Sequence, residues 1–105
     1  MEQTDKYKVI VSERATKMLV SHAAFLAQVS PDAAERLVVS FEEAANSLTY
    51  MPHRCSWLTG EYIPRNTYRC LLFEKWYLLI FQIKDKTVYA DYVVDCRQDY
   101  QWLLR

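Results

Sequence analysis

The spacing of apolar side chains changes period twice along this chain, and those two changes restrict the fold more than any other feature. Residues 6–12 alternate: in Lys6-Tyr7-Lys8-Val9-Ile10-Val11 the apolar positions recur every second residue up to Ser12, as on a half-buried strand. The period then becomes helical. Ala15, Met18, Leu19, His22, Phe25, Leu26 and Val29 recur at spacings of three and four, which predicts a helix over 13–29 with Ser12 capping its first amides. Ser30-Pro31-Asp32 supplies a capping hydroxyl, a proline at the first helical position and an acid facing the positive end of the helix dipole. Ala34, Leu37, Val38, Phe41, Ala45 and Leu48 continue the helical stripe until Met51-Pro52, so a second helix is expected over 31–50.

After a segment from Pro52 to Pro64 with no clean period, three strand-like runs follow: Thr67–Glu74, Trp76–Lys84 and Thr87–Val94. Short polar breaks at Glu74-Lys75 and Lys84-Asp85-Lys86 predict two successive hairpins. Tyr77-Leu78-Leu79-Ile80-Phe81 is apolar at every position, as in a central strand covered on both faces. In the last run Val88, Ala90, Tyr92 and Val94 alternate with Tyr89, Asp91, Val93 and Asp95, which assigns Asp91 and Asp95 to one strand face. The expected fold class is therefore α+β, in the order β-α-α-β-β-β, with two N-terminal helices packed on a largely antiparallel four-stranded sheet. The tail from Asp95 to Arg105 is expected to add a short turn of helix.

Composition narrows the function. At 105 residues the chain fits one domain, 1–105, large enough to bury roughly 60 to 70% of its unfolded surface without staples. Its single glycine, Gly60, excludes a glycine-rich phosphate loop. The odd trio Cys55, Cys70 and Cys96, with no C-x-x-C spacing, points to reduced thiols rather than a disulfide framework or zinc ribbon. With His22 and His53 the only histidines, no metal-ligand pattern emerges, and no cofactor is expected. The longest apolar run, Trp76–Phe81, is far short of the roughly 20 residues a membrane span needs, so the expected compartment is the cytoplasm.

With 13 Lys+Arg against 13 Asp+Glu the net charge is zero, so any polyanion must bind a local patch. His53, Arg54, Arg65, Arg69 and Arg97 form one candidate patch, with Tyr68, Tyr100 and Trp102 as stacking surfaces. The ligand that patch suits is a phosphate backbone or an acidic peptide, against the plain alternative of solvated arginines. His53 and Cys55, two apart, lack a residue that would orient them as a base and thiol nucleophile.

Several strings, in their order and spacing, give the chain its resemblance to the RelE/ParE superfamily of bacterial type II toxins. They are Tyr7-Lys8-Val9-Ile10-Val11-Ser12-Glu13-Arg14-Ala15, Pro31 and Ala34 opening the second helix, Leu48 with Met51-Pro52 at its end, Tyr68-Arg69, Tyr77 to Ile83, and Val88 to Asp95 followed by Arg97-Gln98-Asp99-Tyr100. The resemblance implies a growth-inhibiting toxin of an addiction or plasmid-stabilisation module, held inactive by an antitoxin that wraps its helices and sheet. RelE-like members cut mRNA in the ribosome without metal, using basic side chains around the phosphate; ParE-like members inhibit DNA gyrase. Carried over by position, Arg69 matches the first basic site of the RelE pattern, but Leu71 and Leu78 stand where two further cations belong. Arg97, or Gln98 beside it, falls at the C-terminal basic site, and Tyr100 is nearest the expected tyrosine. The resemblance thus implies Arg69, Arg97 and Tyr100 as functional side chains and favours ParE-like inhibition. Its alternatives are a ribosome-dependent endoribonuclease and a noncatalytic antitoxin-binding module.

Overall fold

The computed structural model describes residues 6–98. Its elements are β1 (Lys8–Val11), α1 (Glu13–Ala27), α2 (Pro31–Ser47), a 3₁₀ turn at Pro52–Arg54, then β2 (Arg69–Phe73), β3 (Tyr77–Lys84) and β4 (Thr87–Asp95). The strands form one sheet in the order β1-β4-β3-β2. β2, β3 and β4 are antiparallel neighbours, whereas β1 pairs with β4 in parallel, Lys8 opposite Thr87. That pairing makes the sheet mixed. A parallel neighbour requires a crossover, and the α1–α2 hairpin with the strands after it supplies the connection.

Both helix starts follow from their caps. Ser12 accepts from the Ala15 amide at 2.9 Å and Ser30 from that of Ala33 at 3.2 Å. The second helix ends three residues earlier than the apolar stripe suggests, at Ser47, and Met51 adopts a left-handed φ of 51°. The chain tightens there: the amides of Leu48, Thr49 and Tyr50 each donate to the carbonyl three residues back rather than four, ahead of Pro52, whose ring disfavours helical backbone at Met51. Phe25 and Val29, assigned to the buried stripe of α1, are instead 69% and 85% exposed.

One core lies between helices and sheet, where Ala15, Leu19, Leu37, Phe41 and Leu48 meet Leu79, Phe81, Val88, Ala90 and Val93. A second, smaller core covers the opposite face: Leu58 and Ile63 from the long loop pack on Ile80, Tyr92 and Val94. The apolar run of β3, Tyr77 to Phe81, is therefore covered on both sides, the second cover being a loop. That loop is tied along the β2 edge, with Leu58 donating to Tyr68 O at 2.7 Å and Cys70 to Ser56 O at 3.1 Å.

The simple alternation expected of β4 does not hold. Ile80 faces Tyr92 while Phe81 faces Ala90, so Asp91 is the extra residue of a β-bulge. Past the bulge the side chains exchange faces: Val88, Ala90 and Val93 point into the helix-side core, Tyr92 and Val94 into the loop-side core. Asp91 and Asp95 consequently do not share a face. Asp91 lines a concavity with Gln82, Lys84 and Tyr89, and Asp95 lines another with His22, Tyr77 and Arg97.

Candidate functional site

The C-terminal end of β4 holds the most organised polar cluster. Asp95, 8% exposed, binds Arg97 with both carboxylate oxygens: Nε to Oδ1 at 2.9 Å and Nη2 to Oδ2 at 2.8 Å. The Arg97 amide also donates to Oδ1 at 2.9 Å. Hydrogen bonding by Arg97 outweighs burial and holds the Asp95 carboxyl below its ordinary pKa of 3.8. The pair raises the Arg97 guanidinium in turn.

A cavity of about 280 Å³ opens beside the pair, between α1 and the sheet. His22 reaches across it to donate from Nε2 to Val93 O at 3.0 Å, and its ring meets Tyr77 edge-on at 5.2 Å. Burial, with Asp95 alongside, pushes the Tyr77 phenol above its ordinary value. Phe25 stands on the rim, and Trp76 lies under the Arg97 guanidinium at 5.1 Å. Sequence reading missed the cluster because it placed His22 on an apolar stripe and Asp95 with Asp91. The available signal was Asp95-x-Arg97, an acid two residues before a base at a strand end.

Arg69 lies elsewhere. On β2 it pairs with Phe81, four residues along β3 from Tyr77, the partner of Asp95. Four residues along the strand and two strand spacings across separate the backbones of Arg69 and Asp95 by roughly 13 and 10 Å in the two directions. The Arg69 guanidinium donates to Cys55 O at 2.6 Å and His53 O at 3.2 Å and stacks on Trp57 at 3.9 Å. Arg54 caps the last turn of α2, donating to the carbonyls of Ser47, Tyr50 and Met51 at 3.0–3.3 Å and to Ser47 Oγ at 3.0 Å. The five cations singled out from sequence are thus not one patch: His53, Arg54 and Arg69 gather around the loop, and Arg97 sits at the other end of the sheet. Arg65 is exposed, and Tyr68 turns its ring edge to Tyr92. Tyr100 and Trp102 lie outside the described residues.

Leu71 packs against the helix-side core and Leu78 against the loop-side core, so neither position presents a polar group. Burial pushes the Cys55 thiol up against the opposing pull of Arg54 and Arg69, which disfavours a thiolate beside His53. Among the described residues no group of three or more His, Cys, Asp or Glu side chains is placed to hold a metal ion, and no helix is long and apolar enough to cross a membrane.

Residues 9–100 match the family described as the ParE toxin of type II toxin-antitoxin system, parDE. The chain belongs to the ParE toxin family. No curated protein matches it. Its fold is similar to that of a chain in the chromosomal ParDE TA system from P. aeruginosa, with a TM-score of 0.69 and 16% sequence identity over 88% of this chain and 98% of that one. In this ParE-family toxin, two helices on a four-stranded mixed sheet are therefore the family architecture, and the Asp95–Arg97 pair is built into the end of its last strand.

Proposed function

We propose that this type II toxin acts in the ParE manner, on DNA gyrase, and is restrained by a cognate antitoxin. The observation carrying this reading is that Leu71 and Leu78, both half-buried, pack against the two cores at the strand positions where a RelE-like nuclease would present cations. Phosphate chemistry of that kind needs charge aimed at the reacting group. Arg97, the remaining strand-end cation, is held by a carboxylate that offsets its charge. Arg69 and Tyr100 stay within the proposal as contacts to the target, Arg69 from the loop end and Tyr100 from the tail.

The antitoxin reading is supported by α1 and the turn after it, which expose Val20 and Phe25 at 59% and 69% and, in the turn, Val29 at 85%. Large apolar side chains left in water along a helix and its end suit a partner segment carrying matching apolar anchors. Purified toxin is expected to block supercoiling by gyrase with no ribosome present and to leave mRNA intact on programmed ribosomes; cutting of that mRNA would overturn the gyrase reading. Phe25→Glu is expected to weaken capture by the antitoxin at least tenfold while the fold, measured by circular dichroism, is kept.

A further inference from the structure

The face of the sheet turned away from the helices is only half covered. Leu58 and Ile63 of the long loop pack on Ile80, Tyr92 and Val94, whereas the part nearest β1 leaves Lys8, Ile10 and Lys84 exposed. Val9, Ile83, Val88 and Ala90 pack into the helix-side core, so the residues alternating with them point the other way. The strand register sets those residues in rows. Lys8, Thr87 and Lys84 form one row across β1, β4 and β3, and Ile10, Tyr89 and Gln82 form the next, about 7 Å farther along β4.

The bulge adds a third group beyond these rows. As the extra residue of β4, Asp91 keeps to the side of Tyr89, and with Gln82, Lys84 and Tyr89 it lines a concavity of about 250 Å³. Burial pushes its carboxyl up, against the opposing pull of Arg14, the Gln82 amide and Lys84. Among the described residues no Lys or Arg nitrogen lies within ion-pair distance of that carboxyl. Arg14 is instead held by neutral groups, its Nε donating to Asp91 O at 3.3 Å and its guanidinium stacking on Tyr92 at 4.1 Å. The two turn residues between Lys84 and Thr87, Asp85 and Lys86, carry one charge of each sign.

Each part suits a different portion of one ligand. Two lysines flanking a threonine hydroxyl suit a phosphate, a half-buried tyrosine with Ile10 at its side suits a planar ring, and a carboxylate beyond them suits N–H donors on the far edge of that ring. Guanine presents two adjacent donors on one edge, its N1–H and its 2-amino group, whereas adenine presents one amino group. An acidic peptide would meet the lysines but be repelled by Asp91. We propose that this sheet face binds a guanine nucleotide, its phosphate at Lys8 and Lys84, its base on Tyr89 and its Watson–Crick edge at Asp91. The site shares no residue with the contacts assigned to the target or with the antitoxin face on α1.

Equilibrium dialysis of the purified chain against radiolabelled guanosine 5′-monophosphate, competed by adenosine 5′-monophosphate, guanosine and inorganic phosphate, tests the site. The guanine nucleotide is expected to bind about tenfold or more tighter than the adenine nucleotide, a preference that Asp91→Asn removes. Lys84→Gln should weaken the nucleotide about threefold or more and leave guanosine unchanged. Tyr89→Leu is expected to weaken both about fivefold or more. Arg36→Gln, on α2 beside Glu74, should change none of them. No binding at about 1 mM nucleotide, equal competition by the adenine nucleotide, or indifference to Asp91→Asn would overturn the proposal. So would competition by inorganic phosphate as effective as by the nucleotide, which would leave a lysine row that reads no base. Lys84 is exposed, so its variant keeps the fold, and matched thermal unfolding curves separate lost binding from lost fold in the others.

Discussion

Arg97 and Arg69 are both ordered arginines on one sheet, and they differ in what orders them. At the strand end, Arg97 is gripped by a carboxylate that offsets its charge; on the edge strand, Arg69 is gripped by backbone carbonyls and an indole that do not. Geometry alone makes the two look equally prepared to meet an anion. The nature of the acceptor shows that one end contributes rigidity and the other an exposed field.

The comparison assumes a common frame, and breaking that frame has the largest effect. Phe81 is fully buried between the two ends, so Phe81→Ala is expected to cost about 3–5 kcal/mol in urea unfolding and to loosen both sites together. Next is Arg69→Ala, which leaves two loop carbonyls without their donor and Trp57 without its cation; about 2 kcal/mol is expected. Arg69→Lys sharpens the contrast, since it keeps the charge but loses the planar fork, and it should recover only part of the stability lost in Arg69→Ala.

Asp95→Asn is expected to cost about 1–2 kcal/mol, because it weakens a charged hydrogen-bonded pair at a buried position. The pH dependence tests the same pair. The folded carboxyl titrates below its ordinary value of 3.8, so its stabilisation is complete above that pH and is lost as pH falls through the lower folded value. Acid unfolding of Asp95→Asn should lack that component, and an identical acid limb in both proteins would show that the pair adds nothing. The smallest effect is kinetic: Cys96 is exposed and should react with a thiol reagent well before Cys55, which is buried with its thiol pushed up.

Much of this architecture was legible in the residues. Ser12 and Ser30 announce the helix starts through chemistry that acts over three residues, and the apolar run in β3 reports cover on both faces. What escaped depends on pairing between distant segments. The bulge at Asp91 is fixed by β3, so period-two counting along β4 alone misassigns every side chain beyond it. The site residues escaped for the same reason: a list of arginines does not reveal whether a carboxylate or a carbonyl will face each one. Phe25 and Val29 fit the helical stripe in sequence, yet Phe25 stands on the rim of the cavity beside Asp95 and Val29 falls in the turn after α1, so neither is covered by the core.

The extra residue in β4 carries a consequence for how this gene tolerates change. Loss of the single codon for Asp91 would remove the extra residue and let Ala90 run directly into Tyr92, whose partners Phe81 and Ile80 are already neighbours on β3, so regular pleating would return with Tyr92, Val93, Val94 and Asp95 each on its present face. An in-frame deletion of those three nucleotides, with every other residue unaltered, would leave the polar cluster on the surface of the molecule it now occupies.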